Sequence, residues 1–343
     1  MSAYYGGRAE VRIRREIKRV LYCDFKSMYP TVNNLMGLWK FVIASGIERL
    51  LTTSETQKFL NRITASDMMY KGMWQCLTTY VRIKPDRDLF PVRAKYDGKS
   101  DTIGLNYLTY DGSLWFTLAD CIAAKLLSGK TPVIEEAITF KPGKPQVCLQ
   151  PINLFGSESF RVDHRNQDVF KQLVELRDAA KKDNDPIQQA IKIIANATSY
   201  GIFIEINRDD VPKGEPIDVY GPDAATGKTT INSKALEEPG KYFNPIAGTL
   251  ITGAARLMLA IAERHVLKAG LEWVFCDTDS IAIAKPEGME EDEVLRRATD
   301  VVAKFEFLNP YTEPQSILQI ENVNNSTARP KQIELLYALA ISA

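Results

Sequence analysis

Three aspartates carry the clearest chemical signal in the sequence. Asp24 ends the apolar run Arg19-Val-Leu-Tyr-Cys-Asp24, and Asp277 and Asp279 sit at a turn between two apolar segments, LEWVFC and SIAIA. Carboxylates are poor strand formers, so acids placed where strands end or turn point to a use there. Neighbouring strands lie ~4.8 Å apart. If the two segments pair in the middle of one sheet, Asp24 and Asp279 can share a cation. Carboxylates so placed can bridge two divalent ions ~3.5–4 Å apart, activating the attacking oxygen and stabilising the leaving oxygen of an in-line phosphoryl transfer. Taken alone, the acids also fit unrelated turn aspartates capped by backbone amides.

A second constellation is basic. DVFKQLVELRDAAKK and PIQQAIKIIANATSYG read as two helices separated by Asp183-Asn-Asp-Pro186. Arg177 and Lys181, four apart, share a helix face. Lys192 lies on the second helix, which runs into Tyr200-Gly201. Such a face opposite two metals suits a triphosphate, whose charge must be neutralised as pyrophosphate leaves. By itself the hairpin reads first as a solvated basic face.

Composition narrows the alternatives. The chain has 343 residues, 45% apolar and 25% charged, with formal net charge +0. That is ordinary globular composition. None of the five cysteines forms a C-x-x-C pair, and the two histidines, His164 and His265, lack partners at ligand spacing. A zinc site is therefore not expected, and any catalytic metal must be a hard cation held by carboxylates. The apolar runs fall short of the ~20 residues that span a bilayer. The start is polar and basic, unlike a secretory signal, so the cytoplasm is the expected location, with no membrane partner. Arg8, Arg12, Arg14, Arg15, Lys18 and Arg19 crowd the N-terminus, either to contact phosphates or as a solvated strand face.

The elements that must position these groups follow from periodicity. Residues 10–25 read as two strands, the second stopped by Tyr29-Pro30. Residues 31–70 read as largely helical, including GIERLL and ETQKFLNRI, and residues 78–110 as strands. SLWFTLADCIAAKLLSG reads as a helix stopped at Gly129. Residues 207–244 read as a surface hairpin. PIAGTLITGAARLMLAIAERHVLKAG reads as a long amphipathic helix with Pro245 near its start and Gly270 at its end, its stripe of Leu250, Ala254, Leu257 and Ile261 facing a core. Two strands then flank Asp277-Thr-Asp279, and one more helix follows. His265 reads as a packing or surface residue. GPDAATGKTT mimics a phosphate loop, but Gly221 and Gly227 have five residues between them rather than four, and no convincing helix follows.

Together these segments resemble family B DNA polymerases. YCDFKSMYPTV resembles that family's motif A, KIIANATSYG its motif B and FCDTDS its motif C, in the family's order; Tyr4-Tyr5-Gly6-Gly7 resembles its Y-x-G-G element. The resemblance covers nearly the whole chain, and its compact layout is similar to phage or mobile-element enzymes. It implies an α+β fold: an antiparallel palm sheet backed by helices, with an inserted helical fingers hairpin. The implied divisions are 1–164 for the first part of the palm, 165–201 for the fingers and 202–343 for the second part of the palm, without a thumb.

The implied reaction is template-directed addition of deoxynucleotides to a primer 3′-hydroxyl with two Mg²⁺ ions, for which Mn²⁺ can substitute. The resemblance makes Asp24 and Asp279 the ligands of both metals and Asp277 a supporting acid. It assigns the nucleotide to Ser27, Tyr29, Arg177, Lys181, Lys192, Asn196, Tyr200 and Gly201, with Tyr29 excluding a 2′-hydroxyl. It assigns DNA contacts to Tyr4, Gly6, Gly7 and Arg8. The implied partners are DNA template-primer and dNTPs, with separate exonuclease or thumb segments or a priming protein as candidates.

Lys192 to Tyr200 is one residue longer than the family's motif B. One residue turns a helix by ~100°, so a bulge or a shift of Lys192 or Asn196 is expected. Neither an exonuclease module nor the family's K-x-Y element and thumb is visible, so processive synthesis by this chain alone is not expected. Two rival readings are an impaired or split polymerase acting as a nucleic-acid-binding module, and a reverse-transcriptase-like palm nucleotidyltransferase. The latter carries adjacent aspartates at the turn, whereas Thr278 separates them here.

Overall fold

The computed structural model describes residues 3–95, 101–220, 228–321 and 336–339. Strands β1 (Ala9–Val11) and β2 (Ile17–Phe25) open the chain, followed by helices α1 (Met28–Met36) and α2 (Trp39–Val42). Next come β3 (Ile47–Leu51), α3 (Thr53–Arg62), α4 (Lys71–Trp74), β4 (Thr79–Ile83), β5 (Asp86–Lys95) and β6 (Asp101–Thr109). Then follow β7 (Leu114–Thr117), α5 (Leu118–Ser128), β8 (Ile134–Pro142), and the short β9 (Ile152–Asn153) and β10 (Arg161–Val162). The helical pair is α6 (Val169–Lys182) and α7 (Ile187–Ser199), and the hairpin is β11 (Ile206–Tyr220) and β12 (Lys228–Pro239). The last elements are α8 (Pro245–Lys268), β13 (Glu272–Asp277), β14 (Ser280–Ala284), α9 (Glu291–Lys304), β15 (Leu318–Ile320) and β16 (Leu336–Leu339).

The fold is α+β, and every strand pairing among the described residues is antiparallel. The principal sheet runs β1-β13-β14-β2-β15, with β16 pairing the start of β2. Alternation along β2 decides its faces. Leu21, Cys23 and Phe25 enter the main core with Ile281 and Ile283 of β14, while Tyr22 and Asp24 fall on the opposite side.

Against the core face lies α8. Asn244 caps it, its side chain accepting the Ala247 N–H at 3.2 Å, and Pro245 occupies the first turn. The helix is buried on nearly every side, not amphipathic as the sequence suggests. By length and composition it could cross a bilayer, yet 89% of its most apolar stretch is buried inside the protein, which is the signature of a core helix.

Two other expectations change. GIERLL forms β3 rather than a helix, because it finds a distant partner in β8, with Ile47 opposite Pro142. In SLWFTLADCIAAKLLSG the helix starts only at Leu118. Leu114–Thr117 pairs with β4 instead, and Thr117 and Asp120 form a capping box at the junction. β3-β8-β4-β7 is a second, four-stranded sheet that periodicity does not announce. The phosphate-loop mimic at Gly221 and Gly227 lies outside the described residues.

Candidate active site

β2 and β14 are neighbours in the middle of the principal sheet, as sharing a cation requires. Asp24 lies opposite Ser280 in register, and the Phe25 N–H donates to the Asp279 carbonyl at 2.7 Å. The turn between β13 and β14 is tight: the Asp279 N–H donates to the Asp277 carbonyl at 2.6 Å, and Ser280 Oγ donates to the same oxygen at 3.1 Å. Thr278, between the two acids, is left-handed at φ 54, and so is Ser27, three residues past Asp24, at φ 45. Left-handed backbone costs a non-glycine residue ~1–2 kcal/mol, and such strain clusters at functional sites.

Electrostatics tie the acids together. Burial pushes the Asp24 carboxyl up to about 7, with the charges of Asp279 and Glu321 adding and the Lys192 ammonium opposing. The Asp279 carboxyl is also raised by burial, with Asp277 and Glu321 adding and Lys192 again opposing. Asp277 is exposed. Among the described residues no three Asp, Glu, His or Cys side chains are preassembled around one point. The carboxyls there are raised chiefly by burial, with neighbouring negative charge adding, and oxygen donors of this kind suit a hard divalent cation.

Glu321 is absent from the sequence-derived site. It follows β15, which pairs with β2 on the side away from β14, and its N–H donates to the Tyr22 carbonyl at 2.9 Å. Asp24 therefore sits between the strands leading to Asp279 and to Glu321. The signal was available: ILQIE is another short apolar run ending in an acid, like the run that ends at Asp24.

The Lys192 charge acts on both Asp24 and Asp279. Arg177 and Lys181 form no ion pair among the described residues, and no contact joins them to the acids. Other polar groups tie this helix pair to the rest of the molecule: Lys26 binds Asp178 of α6 at 2.5 Å, and Lys182 pairs with Glu313 at 2.9 Å. The helix α7 is continuous, without a bulge, and Asn196 is exposed on it. The helix ends at Tyr200, which leaves helical geometry at φ −154, ψ −57. Tyr200 stacks on Tyr29 with centroids 4.6 Å apart and is hydrogen-bonded through its hydroxyl to Tyr4. Burial pushes Tyr29 up to about 12, with Tyr4 and Asp279 adding. Gly201 opens a short 3-10 turn and is exposed.

The Tyr4-Tyr5-Gly6-Gly7 element docks on the acidic turn. Thr278 N–H donates to the Arg8 carbonyl at 2.7 Å, and a Cβ on Gly7 would come within 3.0 Å of the Thr278 side chain. Gly6, at φ 91, accepts a hydrogen bond from Arg256, which is also paired with buried Asp120 at 2.8 Å. Arg8 departs from the expected DNA contact. It is buried, pairs with Glu263 at 2.7 Å and Glu10 at 3.0 Å, and lies over Trp273. Lys18 pairs with Glu16 and Glu272, and Arg19 with Glu291. Much of the N-terminal basic run is thus committed to internal acids.

No family model and no curated protein matches the chain. Among solved structures it is similar to Phi29 DNA polymerase in an orthorhombic crystal form, at 14% identity and TM-score 0.43 over 83% of this chain and 43% of that one. It is similar at 14% identity and TM-score 0.40 to Phi29 DNA polymerase complexed with primer-template DNA and incoming nucleotide substrates, over 85% and 44% of the two chains. The complex with single-stranded DNA gives 14% identity and TM-score 0.37, over 85% and 43%. The chain spans less than half the length of each of these proteins.

Proposed function

We propose that the chain is the palm-and-fingers core of a family B DNA-directed DNA polymerase, transferring a deoxynucleotide to a primer 3′-hydroxyl with release of pyrophosphate. One observation carries the proposal: Asp24 on β2 and Asp279 in the turn that opens the adjacent β14 come from opposite ends of the sequence to neighbouring positions, and the Asp279 charge helps raise the Asp24 carboxyl.

In this reading Asp24 and Asp279 would hold two Mg²⁺ ions, or Mn²⁺ in their place, with Asp277 in support. When bound, the ions would supply Lewis acidity for the phosphoryl transfer. The protein's own residues do the rest. Lys192, already facing the acids, neutralises the phosphates, and Arg177 and Lys181 lie on the same projecting helix pair to extend that field. The stacked Tyr29 and Tyr200 border the acids where sugar and base would lie, and the Tyr29 ring excludes a 2′-oxygen. Ser27, with its left-handed backbone, turns the chain from β2 into α1 just past Asp24. Asn196 and Gly201 would meet the incoming nucleotide, and Tyr4, Gly6 and Gly7 would carry the template strand past the turn. The partners are DNA template-primer and dNTPs, and the compartment is the cytoplasm. Residues 1–164 and 202–343 form the palm and 165–201 the fingers.

The test is primer extension on a DNA template with Mg²⁺, comparing the purified chain with Asp279→Asn. A fall of at least 10²-fold is expected for the variant, on the scale of losing one charge-stabilising group. Equal extension by both proteins would refute the assignment, and extension only on an RNA template would transfer it to reverse transcription.

A further inference from the structure

A cavity of about 460 Å³ opens where α1 ends against the second sheet. None of the acids described above lines it. Its size falls within the ~300–1,000 Å³ of small-molecule sites. The body of the cavity is apolar, formed by Met36, Phe41, Phe59, Leu118 and Phe140. Two exposed lysines, Lys40 and Lys141, also line it, against a single acid, Glu55. Neither ammonium has an ion-pair or hydrogen-bond partner among the described residues.

The polar floor adds a donor. Four threonine hydroxyls lining the cavity form a chain: Thr56 to Thr52 at 3.0 Å, Thr52 to Thr139 at 2.7 Å and Thr139 to Thr79 at 2.8 Å. Four hydroxyls carry four protons, and these three contacts use three of them. The fourth has no acceptor among the described residues. That proton is free to meet an oxygen entering the cavity.

We infer that this cavity binds an amphipathic anion, an apolar body with one negatively charged oxygen-bearing head. The apolar walls take the body. The lysines and the spare hydroxyl proton take the head, since a charge-assisted hydrogen bond is roughly twice as strong as a neutral one.

Cys76 supplies the readout. It is exposed and lines the cavity, whereas Cys148 is exposed without lining it, and Cys23, Cys121 and Cys276 are buried. The probe is 8-anilinonaphthalene-1-sulfonate, compared with uncharged N-phenyl-1-naphthylamine. Saturable binding of the sulfonate is expected, with alkylation of Cys76 by iodoacetamide slowed at least fivefold and that of Cys148 unchanged. In K40E/K141E, whose two positions are exposed, the sulfonate should bind at least tenfold more weakly while the neutral probe is unaffected. Cys76→Trp, which closes the mouth, should abolish both. Unprotected Cys76 in the parent chain, or equal sulfonate affinity in K40E/K141E, would overturn the inference. Neither readout involves nucleotide transfer, so either outcome leaves the polymerase proposal standing or falling by its own test.

Discussion

At the scale of the residue, Asp24 is destabilised by its surroundings. Its folded-state carboxyl is held near 7, above the ordinary 3.8, by burial, Asp279 and Glu321. A carboxyl raised in the folded state contributes stability that is complete below the ordinary value and lost as pH rises through the folded one. Asp24→Asn escapes that loss. In metal-free buffer the variant should unfold at a higher temperature than the parent, the gap widening from pH 4 to pH 7 and levelling above. Discounted for the side chain's partial exposure, the gain is about 1 kcal/mol. A pH-independent gap in calorimetry would show that Asp24 is not strained by its neighbours. Arg8 is the opposite case, a charge fully absorbed by the interior. Removing one partner of a buried pair costs about 3–5 kcal/mol, so Arg8→Ala should lower the urea midpoint strongly even without DNA. An unchanged midpoint would return Arg8 to the surface.

At the scale of the element, α8 sets how closely its neighbours approach. A methyl group on Gly253 would overlap the hydroxyl of Thr117, and one on Gly248 the side chain of Ile204. Thr117 cannot yield, because it is wholly buried and caps α5. Gly253→Ala should therefore cost about 1–3 kcal/mol, the range of overpacking, despite alanine's better helix propensity. A urea midpoint equal to the parent's would mean that α5 shifts freely. None of this is visible in the glycine itself, which reads as an ordinary helix residue. The elements that sequence does reveal are those whose signal is local: the strand ending at Asp24, the turn at Thr278, the helices flanking Asp183 and the Pro245 start. Those it misses depend on a distant partner. GIERLL becomes a strand only because β8 lies beside it, and Glu321 joins the site only because β15 pairs with β2. Arg8 looked like a phosphate ligand because its acids, Glu10 and Glu263, lie on two different elements.

At the scale of the whole molecule, the principal sheet is completed beside β2 by β15 and β16. β2 is flanked on one side by β14 and on the other by β15 over Cys23–Phe25 and by β16 over Ile17–Val20. An uncovered β2 would present a row of unpaired backbone groups, a template for pairing with other chains. It would also lose the wholly buried Ile317 and Leu318, each worth ~1.5–3 kcal/mol when buried. Their sum, ~3–6 kcal/mol, rivals the ~5–15 kcal/mol by which a domain is stable. A chain ending at Ser316 should therefore lose cooperative thermal unfolding and elute as aggregate on size exclusion. A chain ending at Glu321 keeps β15 and the fourth acid, and should unfold cooperatively at a lower temperature than the parent. The two truncations differ by only five residues. If circular dichroism gave them the same melting curve, the strand beside Asp24 would not be holding the sheet, and Glu321 would not be fixed at the site.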